Sequence, residues 1–225
     1  MSYILHIETS TKVCSVSLGE NGKLIASKEE YSEKYIHAER LTLLIKDLIQ
    51  ENKIDFKDLS AIAVNKGPGS YTGLRIGIST AKGLCYALNI PLISIDSLLN
   101  LYMNFKANID FVNENNVVIP MIDARRNEVY TVSYLEDGTQ LTKIQAKIIE
   151  ADFFKPYLNY NKVHLIGDGC HKFKNRFKHS NFNYHTDILC SSISMLSVVY
   201  NKFQNNEYEN TAYFEPYYLK DFKPS

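Results

Sequence analysis

The chain has 225 residues, enough to bury a real core as one large domain or two small lobes. Apolar residues make up 45% and charged residues 22%, an ordinary globular balance that excludes disorder. Lys plus Arg and Asp plus Glu number 25 each, and a net charge of zero argues against a globally basic nucleic-acid binder while allowing a local basic patch.

The N-terminus, MSYILHIETS, has no basic start and too short an apolar stretch for a signal peptide, and no apolar run approaches a membrane span. A cytoplasmic protein is expected. Residues 3–8 read as a strand ending in the polar cluster Thr9-Ser10-Thr11. Residues 13–18 alternate as a second strand, and the turn Glu20-Asn21-Gly22 leads to a third at 23–29. A helix is predicted at 36–50, where Leu41, Leu44, Ile45, Leu48 and Ile49 share one face. A short strand at 62–65 precedes the glycine-rich turn KGPGSYTG. The helix at 74–88 carries only Arg75 and Lys82 as charges, so it is buried or meets a partner. Residues 91–95 give another strand.

This β-β-β-α-β-α-β order places the chain in the α/β class. Composition shifts at 104–116, and the lobe boundary is drawn there: 1–104 and 105–225. The second half offers strands at 117–123, 128–135, 141–146 and 164–166, a helix at 192–203, and an aromatic tail at 213–225 that packs back. It echoes the first half in outline. The four cysteines form no CxxC pair and read as buried thiols; no HxxxH or HExxH occurs, so no helical metal pair is expected.

Four segments carry residue types suited to chemistry. Glu8-Thr9-Ser10, an acid and hydroxyls at a strand end, could cradle a phosphate and its Mg²⁺; a hairpin turn capped by its own side chains is the simpler reading. Gly69 and Ser70 lie in a glycine-rich strand-to-helix turn, which suits either anion binding at a helix start or tight packing. Asp123, at the mouth of the second hairpin, and Gly167-Asp168-Gly169, after a later strand, could touch a nucleotide or be plain turns.

IETSTKVCSVSL, NKGPGSYTGLRIGISTAKGL, MIDARRNEVY and EPYYLK together resemble the TsaB family (also called YeaZ), over most of the chain and most closely in its first hundred residues. The resemblance implies the actin-like ATPase (ASKHA, RNase H-like) fold: two lobes, each with a mixed sheet and flanking helices. It also implies a non-catalytic relative of TsaD, the subunit that transfers threonylcarbamoyl to adenosine 37 of tRNAs reading codons that begin with A. Ser97 and Leu101 stand where that relative places its two metal-binding histidines, so neither metal, cofactor nor catalysis is expected. Glu8 departs from the Asp that many actin-like ATPases carry.

The implied role is a scaffold that binds TsaD and, with it, the ATPase TsaE. It would reach tRNA only through that complex, and would form a homodimer when alone. By the same resemblance the first lobe meets its partner through helices 36–50 and 74–88. Leu41, Leu44, Leu48, Ile76, Ala81 and Leu84 are the expected anchors, with Arg75 as a polar contact. Periodicity alone does not separate a core stripe from an interface stripe. The rival readings are an ATP-dependent small-molecule kinase of the same fold, with Glu8, Thr9, Ser10, Asp123, Gly167 and Gly169 lining its cleft, or a metallo-glycopeptidase. A lone tRNA-binding module has little electrostatic drive at zero net charge.

Overall fold

A computed structural model describes residues 1–33, 36–109 and 115–220. The chain divides into two compact units, Met1–Ser97 with Cys190–Tyr218, and Leu98–Leu189 with Leu219–Ser225. The boundary drawn from composition at 104/105 falls inside a helix, Ser97–Asn108, and residues 221–225 of the expected tail lie outside the described ones.

In the first unit, β1 (Tyr3–Glu8), β2 (Val13–Glu20) and β3 (Lys23–Tyr31) form the expected antiparallel meander. Asn21 and Gly22 both take positive φ (50° and 78°), which matches the right-handed twist of a tight hairpin. β4 (Leu59–Asn65) and β5 (Leu92–Ile95) add in parallel, giving the order β3-β2-β1-β4-β5. Helix α1 (His37–Glu51) links β3 to β4, and α2 (Tyr71–Leu88) links β4 to β5. Their buried stripes, Leu44 and Leu48 on α1 and Ile78, Ala81 and Cys85 on α2, share one core with Leu5, Ile7, Val16, Ile62 and Val64. Each fully buried Leu or Ile there contributes about 1.5–3 kcal/mol. α2 starts one turn earlier than its apolar pattern suggested, because Ser70 caps it: its hydroxyl accepts from the Gly73 amide at 3.2 Å.

The chain returns to this unit at Cys190. Ser192 N donates to Ser15 Oγ (3.1 Å), and the Ser191 hydroxyl donates to Glu29 (2.8 Å). The predicted helix at 192–203 begins as a 3-10 turn, Ile193–Met195, and only then becomes an α-helix, Leu196–Gln204.

The second unit opens on α3 (Ser97–Asn108), whose Leu98, Leu101, Tyr102 and Phe105 are buried at helical spacing. Its strands are β6 (Asn116–Asp123), β7 (Glu128–Thr131), β8 (Tyr134–Leu135), β9 (Gln145–Ile148), β10 (Lys162–Ile166) and β11 (Phe182–His185). The expected strand at 128–135 is broken in two. Ser133 N donates to the Thr142 hydroxyl (3.0 Å), so a side chain replaces a ladder bond, and the next strand starts only at Gln145. The order is β11-β10-β6-β7-β9, with β8 beside β6. Both sheets therefore run a first strand in the middle, an antiparallel pair to one side and two parallel strands to the other. This is the RNase H-like arrangement of the actin-like ATPase fold. Among the described residues no helix is long and apolar enough to cross a membrane.

Candidate functional site

Glu8 ends β1 and is fully buried. Its Oε1 accepts from Ser10 N and Ser10 Oγ, both at 2.6 Å, and its Oε2 accepts from the Asn65 side-chain amide. Asn65 ends β4; its Oδ1 accepts from Gly67 N (2.9 Å) and from the Ser97 hydroxyl (2.7 Å). Burial pushes the Glu8 carboxyl up to about 7, against the opposing pull of the Ser10 and Asn65 donors. The acid therefore ties β1, its following turn and β4 together.

The glycine-rich turn is filled from within. A Cβ at Gly69 would come closer than 3.0 Å to the Ser10 carbonyl oxygen; at Gly73 it would meet the Thr9 carbonyl, and at Gly77 the Thr9 hydroxyl. These three glycines, four residues apart, let the Thr9-Ser10 turn lie directly on α2. Ser70 N donates to the Ser10 carbonyl at 2.7 Å, while its hydroxyl is the cap. The structure thus brings Glu8, Thr9, Ser10, Gly69 and Ser70 together as a packed joint. Of the two readings the sequence left open for the turn, tight packing describes this geometry.

The C-terminal EPYY segment locks the same joint. Tyr217 N donates to the Lys66 carbonyl (2.8 Å), and Tyr218 stacks on Tyr71 with centroids 4.9 Å apart. The Arg75 guanidinium sits 4.1 Å over the Tyr71 ring and donates from Nε to the Tyr218 hydroxyl at 3.1 Å.

Four of the seven expected interface residues are core. Leu41, Leu44, Leu48 and Ala81 are buried within their own unit and have no face left for a partner. Ile76 and Leu84 are half-buried against that core, and Arg75 is exposed. The outward face of the two helices instead presents Leu43 (46% exposed), Ser79, Gly83 and Tyr86 (89% exposed). A Cβ at Gly83 would meet nothing within 4 Å beyond its own helix, among the described residues. Subtracting the core stripe from each helix would have found these residues; choosing the most apolar positions found the stripe itself.

In the second unit Asp123 ends β6. Its Oδ1 accepts from Arg125 N and from Lys172 Nζ, both at 2.6 Å, and its own amide donates to Asp168 (3.1 Å). Gly167 takes φ 99°, and a side chain there or at Gly169 would strike the backbone of β6 at Met121 or Ile122. Asp123, Gly167 and Gly169 thus meet within this unit. The four cysteines are buried, reduced thiols, and burial pushes Cys14, Cys85 and Cys170 up to about 12, far from the nucleophilic thiolate. Ser97 donates to Asn65, and Leu101 is buried beside Gly167.

Residues 30–224 match the family model for "TsaD: tRNA N6-adenosine threonylcarbamoyltransferase". The tRNA threonylcarbamoyladenosine biosynthesis protein TsaB of Escherichia coli is 34% identical over 134 residues, 60% of this chain and 55% of that protein. The Bacillus subtilis TsaB is 37% identical over 131 residues, 58% of this chain and 54% of that protein. The chain thus matches about half the length of these two relatives. TsaB of Buchnera aphidicola subsp. Schizaphis graminum is 34% identical over 176 residues, 76% of this chain and 80% of that protein. The solved structure of YeaZ from Pseudomonas aeruginosa superposes with a TM-score of 0.82 at 26% identity, covering 97% of this chain and 100% of that one. Its strand order fits the superposed structure, and with these likenesses the chain belongs to the TsaB (YeaZ) family.

Proposed function

We propose that this chain is a scaffold subunit in the formation of N6-threonylcarbamoyladenosine at position 37 of tRNAs reading codons that begin with A. It binds TsaD through the outward face of α1 and α2, and TsaE joins the pair. Without TsaD the same face closes a homodimer. The lobe that carries these helices is the partner-binding one. The chain does no chemistry of its own: Glu8 and the glycine turn serve its internal packing, and the thiols are buried.

The observation that carries this reading is the exposed stripe of α2. Gly83 sits in a helix interior at a cost of about 1 kcal/mol relative to Ala, and no neighbour among the described residues needs it small. Tyr86, one turn on, is 89% exposed and is the residue type that anchors interfaces. A helix from a partner that crosses close to Gly83 and seats Tyr86 explains both.

The test is titration of TsaD with the Gly83→Arg variant. Arg points into open space here, so the monomer keeps its melting temperature or gains slightly. Affinity for TsaD should fall at least about 100-fold, as for loss of an interface anchor. Unchanged affinity with an intact fold sinks the assignment. Ala81→Arg cannot serve, because it would place a charge in the core.

A further inference from the structure

The connection from β10 to β11 carries the strongest local charge in the molecule. Lys172, Lys174, Arg176 and Lys178 fall within seven residues, and no Asp or Glu occurs from 169 to 186. In a chain whose net charge is zero, this is a concentrated basic patch.

The patch stands on a fixed platform. Phe173 is buried in the core of the second unit, and Phe177 packs on Phe154 and Phe173 with centroids 5.2 and 6.0 Å apart. Arg176 N and Phe177 N both donate to the Phe173 carbonyl at 2.9 Å, and the Tyr184 hydroxyl donates to the Phe177 carbonyl at 2.7 Å. The two rings point inward at a spacing of four, so Lys174, Arg176 and Lys178 point outward and are exposed. The Arg176 guanidinium lies 4.9 Å over the Phe177 ring. Lys172 is neutralised by Asp123 at 2.6 Å. Among the described residues, Lys174, Arg176 and Lys178 have no ion-pair partner.

We infer that Lys174, Arg176 and Lys178 form a contact site for the sugar-phosphate backbone of RNA, through which this subunit holds the tRNA. The inference rests on the proposed role in tRNA modification for the identity of the polyanion. Its chemistry rests on the patch alone. Three exposed cations on a rigid turn suit phosphates, which position a nucleic acid without reading its sequence. Little ordering of the turn is needed on binding. No exposed large apolar side chain lies between residues 171 and 180, so the patch lacks the aromatic or aliphatic anchor of a protein interface. One such patch on a neutral chain binds weakly alone and adds to whatever its partner binds.

The test titrates an unmodified tRNA transcript into the full-length chain at about 20 mM salt and upward, for the wild type and for K174E/R176E/K178E. Each phosphate contact contributes roughly 0.7–0.9 to the slope of log affinity against log salt. The wild type should show a slope of about 2–3, and the variant should bind at least about 10-fold more weakly with a slope near zero. K174Q/R176Q/K178Q should fall between them. All three sites are exposed, and matching melting curves verify the fold. Equal tRNA binding by wild type and triple variant overturns the inference. So does tighter, patch-dependent binding to polyglutamate or to phosphatidylserine vesicles than to tRNA. A parallel titration of TsaD keeps the two readings apart. Loss of tRNA binding with TsaD binding intact supports the patch, whereas loss of TsaD binding by the triple variant makes the turn a protein interface and overturns it. A wild-type chain that binds tRNA through the patch but never binds TsaD removes the scaffold reading alone.

Discussion

In the first unit the parallel crossovers are the 15- and 18-residue helices α1 and α2; in the second they contain 3-10 turns of seven and five residues, Ala151–Tyr157 and Asp168–Lys172. The strand order is otherwise the same. The turns that follow the first strands match as well. Ser10 N reaches back to Glu8 at 2.6 Å, and Arg125 N reaches back to Asp123 at 2.6 Å. The surroundings of the two acids differ. Glu8 is fully buried, the Thr9-Ser10 turn after it lies on Gly69, Gly73 and Gly77, and its longer side chain reaches Asn65 on β4. Asp123 lies under no such helix, is exposed, and pairs with Lys172. A long crossover buries one face on the sheet and leaves another exposed. A short one exposes its turn, and here that turn is basic.

Substitutions at the two joints test this contrast. Gly73→Ala should be the most damaging, costing about 3 kcal/mol or more, because the new Cβ meets the Thr9 backbone rather than a side chain that can move. Denaturant melts check it, and a cost below about 1 kcal/mol would mean the turn does not rest on the helix.

Next is pH. The folded Glu8 binds its proton up to about pH 7, above the ordinary carboxyl range. Between about pH 4.5 and 7 the folded state therefore holds a proton that the unfolded chain has released. Stability from this group is greatest at low pH and falls as pH rises through that window, by about 3 kcal/mol at most. Buried His6, lowered to about 4, works the other way, because unfolding lets it take up a proton below its ordinary range. The difference between wild type and Glu8→Gln isolates the acid. It should shift in favour of the variant as pH rises from 5 to 8, and a pH-independent difference contradicts the burial argued here.

Gly83→Ala should raise monomer stability by about 0.5–1 kcal/mol, the opposite sign to Gly73→Ala ten residues earlier on the same helix. Smallest of all is Asp123→Asn. Its exposed pair with Lys172 contributes under about 1 kcal/mol, and a larger loss would show that the second turn is as much a joint as the first.

The meander, both long helices and the glycine string were legible in the sequence, since period-two and period-3.6 patterns and turn residues coincide there. α3 was not, although Leu98, Leu101, Tyr102 and Phe105 have helical spacing, because interspersed Asn residues read as a linker. β11 was missed because Phe182–His185 is only four residues long and sits in an Asn- and His-rich stretch, although Phe182 and Tyr184 alternate toward the core. Four of the expected interface anchors are core residues for a different reason. The moment of a helix points to its core, so Leu41, Leu44, Leu48 and Ala81 stood out while the sparse outward residues did not. The run from Lys172 to Lys178 was not singled out in the sequence, because only the inward turn of Phe173 and Phe177 gives it a face.

The most direct test of the scaffold role is reconstituted tRNA modification, with the modified nucleoside measured after digestion. TsaD and TsaE are supplied with donor and tRNA, and this chain is added as wild type, as Gly83→Arg, or not at all. The account predicts product only with the wild type, and none with the folded variant. Equal product from the folded variant, or from the mixture lacking the chain, would contradict it.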